Sequence, residues 1–256
     1  MITSVQNPRI QLVRSLLGRS RKRREENALV LEGVRLVEEA HAAGWTFRFA
    51  LHSETLSERG QALVQKLIEE GVEVDEAAES LLDSTSSTRT SQGLLAVVEE
   101  KVLPLPLDPD LALILDGIRD PGNLGSLLRS AAAAGADAAL LTPGSTDPFA
   151  PKVLRSGMGA HFKLPIQQMD WNGIRDLLPG FNFFLAEMEA QLTCWQADLR
   201  GKLAIIIGGE AEGAGEGMRS VNPTAVRIPM QANSESLNAA AAGAVLLFEA
   251  RRQRKA

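Results

Sequence analysis

LALILDGIRDPGNLGSLLRSAAAAGADAALLT, Leu111 to Thr142, reads as a strand, a turn-rich loop, a helix and a second strand. LALILD (Leu111–Asp116) is a continuous apolar run, typical of a strand covered on both faces. Gly117–Gly122 reads as loop, Leu124–Ala134 as a helix closed by Gly135, and AALLT as the next strand. The loop carries Asp120-Pro121-Gly122, Asn123 sits where an N-cap belongs, and Arg129 follows six residues on. Structure alone could account for all of these residues, as a cap, tight turning and a surface charge. Loops at the carboxyl ends of parallel strands are also where open α/β sheets bind ligands. The pattern is neither GxGxxG nor Walker A, which weakens a dinucleotide or phosphate-loop reading.

The same order recurs on either side. HFKLPI, FNFFLAEM, LAIIIGG and AVRIPM supply further strands, and DPFAPKVLRSGMGA a loop entering a short helix. A final apolar helix is expected from about Ser236 to Arg251. Repeated strand, loop and helix with greasy strands predicts a parallel sheet with helices on both faces. Upstream, ALVLEGVRLVEEAHAAG is a strand running into an amphipathic helix that stops at Gly44. TFRFALHSE, a helix near Ser57–Glu70, VEVDEA and GLLAVVEE continue the alternation, as in a small α/β domain. KVLPLPLDPD, Lys101 to Asp110, is rich in proline, which lacks a backbone donor and interrupts helix and central strand alike. The division expected is a first domain over 1–103, a linker over 104–110 and a second domain over 111–256.

Composition narrows the class. Cys194 is the lone cysteine and His41, His52 and His161 are scattered, so no disulfide framework or Cys/His zinc cluster is expected. No apolar run is long enough to span a membrane and no secretory signal pattern opens the chain, so a cytoplasmic, metal-free protein is expected. The net charge is −5, but it is segregated. Residues 1–24 hold seven basic and no acidic residues, ending in Arg21, Lys22, Arg23 and Arg24. Residues 25–100 hold five basic against sixteen acidic, and the chain closes on Arg251, Arg252, Arg254 and Lys255. A basic arm reaching for phosphate beside an acidic body is one reading, and a solvated terminus the other.

Two further stretches exceed what folding requires. In LAIIIGGEAEGAGEG (Leu203–Gly217) a β-prone strand breaks into Gly208-Gly209-Glu210, with more glycines behind it, a loop that lets a ligand approach the backbone. IPMQANSESLNAAAAGAVLLFEA (Ile228–Ala250) crowds Asn233, Ser234, Glu235, Ser236 and Asn238 before an apolar helix. Ser234 or Asn233 can cap that helix and Glu235 suits its first turn, leaving Ser236 and Asn238 unexplained. The small residues that follow permit close helix packing, within the domain or across a dimer.

Together Asn123-x-Gly125-x-x-x-Arg129, Gly208-Gly209-Glu210 with Gly213, and Ile228-Pro229-Met230 followed by Ser236-Leu237-Asn238 resemble the SpoU (TrmH-type) RNA ribose 2'-O-methyltransferases of the SPOUT superfamily. The likeness is strong over about 110–250, and LVLEGVRLVEEA more loosely resembles the small substrate-binding domain often fused in front. It implies an α/β fold whose parallel-sheet domain holds a deep trefoil knot, S-adenosylmethionine (AdoMet) as methyl donor, RNA as substrate, either ribosomal or transfer RNA, and a homodimer whose site uses both chains. By position it implies Asn123, Arg129, Glu210, Ser236 and Asn238 for catalysis, and Gly208, Gly209, Ile228, Met230 and Leu237, with Leu141 and Thr142, for the cofactor. Arg21, Lys22, Arg23 and Arg24 would meet RNA. The motif departs from the usual Ser-Leu-Asn-Val-Ser, since Ala239 and Ala240 follow Asn238. The motifs contain no histidine or cysteine, so Arg129 is read as a clamp on phosphate and developing charge rather than a base, a guanidinium holding its proton tightly. Competing readings are a non-catalytic RNA- or AdoMet-binding module for ribosome assembly, a base-methylating relative, and a nicotinamide-dependent oxidoreductase.

Overall fold

A computed structural model describes residues 1–87, 92–209, 216–231 and 236–255. In chain order the elements are α1 (Pro8–Gly18), α2 (Ser20–Glu26), β1 (Ala28–Glu32), α3 (Val34–Ala42), β2 (Phe47–His52), α4 (Glu58–Glu69), β3 (Val74–Glu76), α5 (Glu79–Thr85) and β4 (Leu94–Glu99). Then come β5 (Leu111–Asp116), α6 (Pro121–Ala134), β6 (Ala138–Leu141), α7 (Pro151–Gly157), β7 (Ile166–Gln168) and α8 (Trp171–Leu177). The chain continues through β8 (Asn182–Ala186), β9 (Leu192–Thr193), β10 (Leu203–Gly208), β11 (Thr224–Arg227) and α9 (Ala239–Lys255). Two compact units emerge: Met1–Lys101 with Phe149–Phe162, and Val102–Pro148 with Lys163–Ala256. The break at Lys101/Val102 falls in the proline-rich stretch, where residues 101–110 form neither strand nor helix.

The first unit is a four-stranded sheet in the order β1-β4-β2-β3, antiparallel except where β3 joins β2. Alternate side chains of β1 feed two cores. Leu29 and Leu31 meet Val37, Leu63 and Leu67, whereas Ala28 and Val30 meet Ile10, Val13 and Leu16 of α1. Residues 1–24 are therefore no arm. Asn7 caps α1, Pro8 opens it, and its apolar stripe lies buried against the sheet. Arg9 bonds Asp75 at 2.5 Å, also pairs with Glu73, and lies over the Phe49 ring.

Phe149–Phe162, which chain order assigns to the second domain, packs with the first unit. Leu154 and Phe162 enter its core, and the Phe162 ring meets Trp45 edge-on at 4.9 Å. Arg155 Nη1 reaches Glu32 at 3.0 Å, and that carboxylate also accepts from the Ser87 N–H at 3.0 Å and the Ser87 hydroxyl at 3.1 Å. The Glu32 side chain is only 4% exposed, so its charge depends on these partners.

The second unit is an all-parallel seven-stranded sheet in the order β7-β6-β5-β10-β8-β11-β9. Every residue of β5 is buried, as its unbroken apolar run requires. The chain builds outward through β6 and β7, then lays β8 on the other side and inserts β10 between β5 and β8. Strand order thus reverses at the β5/β10 boundary, the crevice where open α/β sheets bind ligands. Gly243 of α9 permits close packing: a Cβ there would stand 2.3 Å from Leu127 Cδ2 of α6 and 3.4 Å from Ile207 Cγ1 of β10. This small residue thus serves packing within the domain.

Three boundaries differ from the sequence reading. α6 starts at Pro121 instead of Leu124, because Asp120 accepts from the Asn123 N–H at 2.8 Å and proline suits a first helical position. HFKLPI opens as a 3-10 turn over Ala160–Phe162, and the strand forms at Ile166–Gln168. α9 begins at Ala239 instead of near Ser236, for a reason given below. Among the described residues no helix is long and apolar enough to cross a membrane.

Removing the guanidinium opposite Glu32 leaves a buried charge without its counter-ion. Arg155→Met should lower the stability of the first unit by about 2–4 kcal/mol. In urea unfolding, the double variant Glu32→Gln/Arg155→Met should recover much of that loss.

Candidate active site

The carboxyl ends of β5, β6 and β10 are tied together by hydrogen bonds. Asp116, the last residue of β5, is 6% exposed. Thr142 Oγ1 donates to its Oδ1 and accepts from the Gly117 N–H at 3.2 Å. The Gly209 N–H donates to the Asp116 carbonyl at 2.9 Å. A Cβ on Gly209 would lie 2.7 Å from the Gly117 carbonyl oxygen, a backbone atom that cannot rotate aside. Gly209 is therefore required by the close approach of two loops. Asp116, which sequence reasoning passed over, is central here; its signal was a carboxylate ending an otherwise apolar strand.

Asn238 joins two helices. Its carbonyl accepts from the Ala242 N–H at 2.9 Å, and its Oδ1 accepts from the N–H groups of Ala240 at 2.9 Å and Ala241 at 3.3 Å. It is the N-cap of α9, a part the sequence reading gave to Ser234 or Asn233, because its short amide reaches the second and third helical donors. Its Nδ2 donates to Asn123 Oδ1 at 2.9 Å. Asn123 is accordingly not the cap of α6, which is Asp120; it lies in the first turn with its side chain turned to Asn238. Two residues from motifs far apart in sequence thus meet directly.

Beside this bridge is a cavity of about 130 Å³ at the ends of β8 and β11. Ile228, Met230 and Leu237, named above for the cofactor, and Ser236, named for catalysis, line it. Ala186, Glu187 and Met188, at and just beyond the end of β8, also line it and were missed. Only their position after an apolar strand could have indicated them. Leu141 and Thr142 do not line this cavity, because β6 lies three strand spacings from β8, about 14 Å. Both are buried, and Thr142 braces Asp116. Gly208 and Gly209 end β10, the neighbour of β8. Glu210, Gly213, Asn233, Ser234 and Glu235 lie outside the described residues.

Arg129 is exposed on α6 and among the described residues makes no hydrogen bond or ion pair. It does not line the cavity of its own chain. Cys194 is fully buried, and burial, with a smaller contribution from Glu249, pushes its thiol pKa up, so it is a poor nucleophile.

The basic run at the N-terminus is largely engaged. Arg23 is 5% exposed and donates Nη1 to the Leu16 carbonyl at 2.7 Å, so it is not available to a phosphate. Arg21 pairs with Glu25 at 2.7 Å and Lys22 with Glu26 at 2.8 Å, and hydrogen bonding to Lys22 holds the Glu26 carboxyl below its ordinary range. Arg24, with its neighbour Arg19, is exposed without a side-chain partner among the described residues.

The sequence matches the SpoU rRNA Methylase family over residues 110–248 and an MRM3-like substrate binding domain over residues 7–96. The chain belongs to the SpoU family. It is 33% identical to an uncharacterised tRNA/rRNA methyltransferase of Synechocystis, over 98% of this chain and 93% of that protein. It is 31% identical to a 23S rRNA (uridine(2479)-2'-O)-methyltransferase of Streptomyces viridochromogenes, covering 99% and 92% of the two chains. The crystal structure of the SpoU methyltransferase AviRb from S. viridochromogenes in complex with AdoMet superposes with a TM-score of 0.87 at 27% identity, covering 97% of this chain and 98% of that one. The parallel sheet with a substrate-binding unit in front is thus a SPOUT methyltransferase architecture.

The two ends of the Asn238 amide separate capping from bridging. Asn238→Ala should cost about 1 kcal/mol through the lost cap, whereas Asn238→Asp keeps the accepting oxygen and should be close to wild type in thermal denaturation.

Proposed function

We propose that this SpoU protein is an enzyme that transfers a methyl group from AdoMet to a ribose 2'-hydroxyl of ribosomal or transfer RNA. The observation that carries the reading is the Asn123–Asn238 bridge at 2.9 Å beside the cavity lined by Ile228, Met230, Ser236 and Leu237, because it joins the first and third motifs at one place. The donor set suits the cofactor. Apolar and thioether walls from Ile228, Met188 and Met230 can hold a purine-like ring, while Glu187 and Ser236 offer an acceptor and a hydroxyl at the rim. When bound, AdoMet supplies an electrophilic methyl group on its sulfonium. The protein's own part is to aim the ribose oxygen and manage its charge.

Arg129 would clamp the adjoining phosphate and stabilise charge on the ribose oxygen as its proton leaves, a role suited to a fixed guanidinium. Asn123 and Asn238 would orient the sugar, and Ser236 would brace the cavity wall. Glu210, assigned from its place after Gly208-Gly209 alone, would steady the loops. The backbone at Gly208, Gly209 and Ile228 would meet the cofactor. Arg19 and Arg24 would add phosphate affinity.

Arg129 stands outside the cavity of its own chain, which favours a homodimer in which it serves the partner's cavity. Ala241, Val245 and Phe248 repeat at helical spacing on α9 and are exposed, an apolar stripe suited to such an interface. A trefoil knot in the second unit and action in the cytoplasm complete the reading. The knot rests on the family likeness, and the compartment on the lone Cys194 and the RNA substrate.

Tritiated-methyl transfer to unmodified rRNA and tRNA, followed by nucleoside digestion, tests the activity. A labelled 2'-O-methylnucleoside is expected, and a methylated base would refute the reading. Arg129→Ala should fold normally and lose at least about a hundredfold in rate, the scale of one lost charge-stabilising group. Co-expressing Arg129→Ala with a cavity-filling Ala242→Phe chain tests the shared site. Heterodimers with Arg129 in trans regain one intact site, whereas with Arg129 acting in its own chain they regain none.

A further inference from the structure

A cavity of about 650 Å³ lies in the first unit, lined by none of the motif residues. Among the described residues, Val34 and Leu82 give its wall apolar side chains, beside hydroxyl, amide and four charged groups, Arg35, Arg59, Glu79 and Asp83. Two glycines with positive φ pack against residues of its wall. Gly93 (φ +69°) sits so close to Ser53 that a Cβ would meet its Oγ at 2.2 Å, and Gly33 (φ +95°) would meet Gln92 Oε1 at 2.5 Å. Most of the polar wall is already tied. Gln92 Oε1 accepts from the Val34 N–H at 3.2 Å, Thr55 donates to Glu79 at 3.1 Å, and Arg59 Nε donates to Glu38 at 2.7 Å. Two groups are left over. Arg35 and Asp83 both line the cavity and are exposed, and among the described residues neither has a hydrogen bond or ion pair, not even with the other.

Opposite charges that line one cavity without pairing leave a cation and a carboxylate for a ligand that is anionic at one place and a hydrogen-bond donor at another. Glu79 and Asp83 disfavour a simple polyanion, and four charged side chains in the wall, Arg35, Arg59, Glu79 and Asp83, disfavour a lipid or greasy peptide. A nucleotide has both features. A carboxylate, with two acceptor oxygens, matches guanine, whose N1–H and exocyclic N2–H point side by side, whereas adenine and cytosine offer one such donor beside an acceptor and uracil offers no amino group. The Nε2 of Gln92 can donate to the guanine O6, since its Oε1 is occupied. Arg35 would take the phosphate.

We infer that this cavity binds an unpaired guanosine of the RNA substrate, with Asp83 reading the base edge and Arg35 holding the backbone. The inference rests on the RNA-methylating reading but concerns a different unit, and binding can be tested without turnover. The probes are fluorescein-labelled eight-nucleotide RNAs, all-uridine or with one central guanosine or inosine, titrated into the full-length protein and read by anisotropy.

The guanosine RNA should bind about tenfold more tightly than all-uridine, the worth of one bidentate base contact. Inosine, lacking N2, should lose most of that gain. Asp83→Asn should abolish the preference, Arg35→Gln should weaken all three RNAs alike, and Lys66→Gln, exposed but outside the lining, should leave the preference intact. Equal binding of the three RNAs, or a guanosine preference that survives Asp83→Asn, overturns the inference. So does failure of all three to bind, as for a cavity that takes a protein partner. Methyl transfer to rRNA that persists in any of these cases would leave the enzymatic reading standing.

Discussion

The approach of Gly209 to the loop after β5 governs the geometry of the site. Its N–H meets the Asp116 carbonyl at 2.9 Å, and no side chain fits between it and Gly117. That contact, with Thr142 holding Asp116 from the other side, fixes where the loop leaves the sheet. Asp120 then caps α6, placing Asn123 in the first turn, where it accepts from Asn238. Asn238 in turn starts α9, and with it the wall formed by Ser236, Leu237 and Ala242. Each link is a single hydrogen bond of modest net strength, about 1 kcal/mol. Their effect is positional: a shift at one glycine would pass along two helices to the cavity.

The second unit was largely legible in the sequence because burial on both faces of a parallel sheet leaves continuous apolar runs, such as Leu111–Asp116 and Leu203–Gly208. Strand order was not legible, since nothing local says that β10 inserts between β5 and β8. Capping was misassigned for a related reason. Several residues able to cap stood in a row before each helix, and the choice between Asp120 and Asn123, or between Ser234 and Asn238, depends on which other helix the remaining side chain meets. The lining at Ala186–Met188 was missed because small and sulfur-bearing residues at a strand end carry no chemical signature. The assignment of Phe149–Phe162 to the first unit was equally hidden, as it depends on a buried Glu32 finding Arg155 more than a hundred residues away.

Formal charge misled in both directions. The acidic excess of residues 25–100 argues against an RNA-binding surface, and the basic excess of residues 1–24 argues for one. The fold sets much of one against the other: Glu73 and Asp75 meet Arg9, and Glu25 and Glu26 meet Arg21 and Lys22. Exposed pairs of this kind contribute little stability, but they remove cations from the pool that phosphate can use. In the first unit Arg19, Arg24 and, at the cavity, Arg35 are among the cations without side-chain partners within the described residues. A few isolated cations give weak, shallow affinity for nucleic acid in general. Discrimination then comes from hydrogen bonds at base edges and from RNA shape, which a cavity bearing a carboxylate can read and a basic patch cannot. A strongly basic surface would hold every RNA it met, so contacts of that kind, rather than more charge, are what would separate one RNA from another.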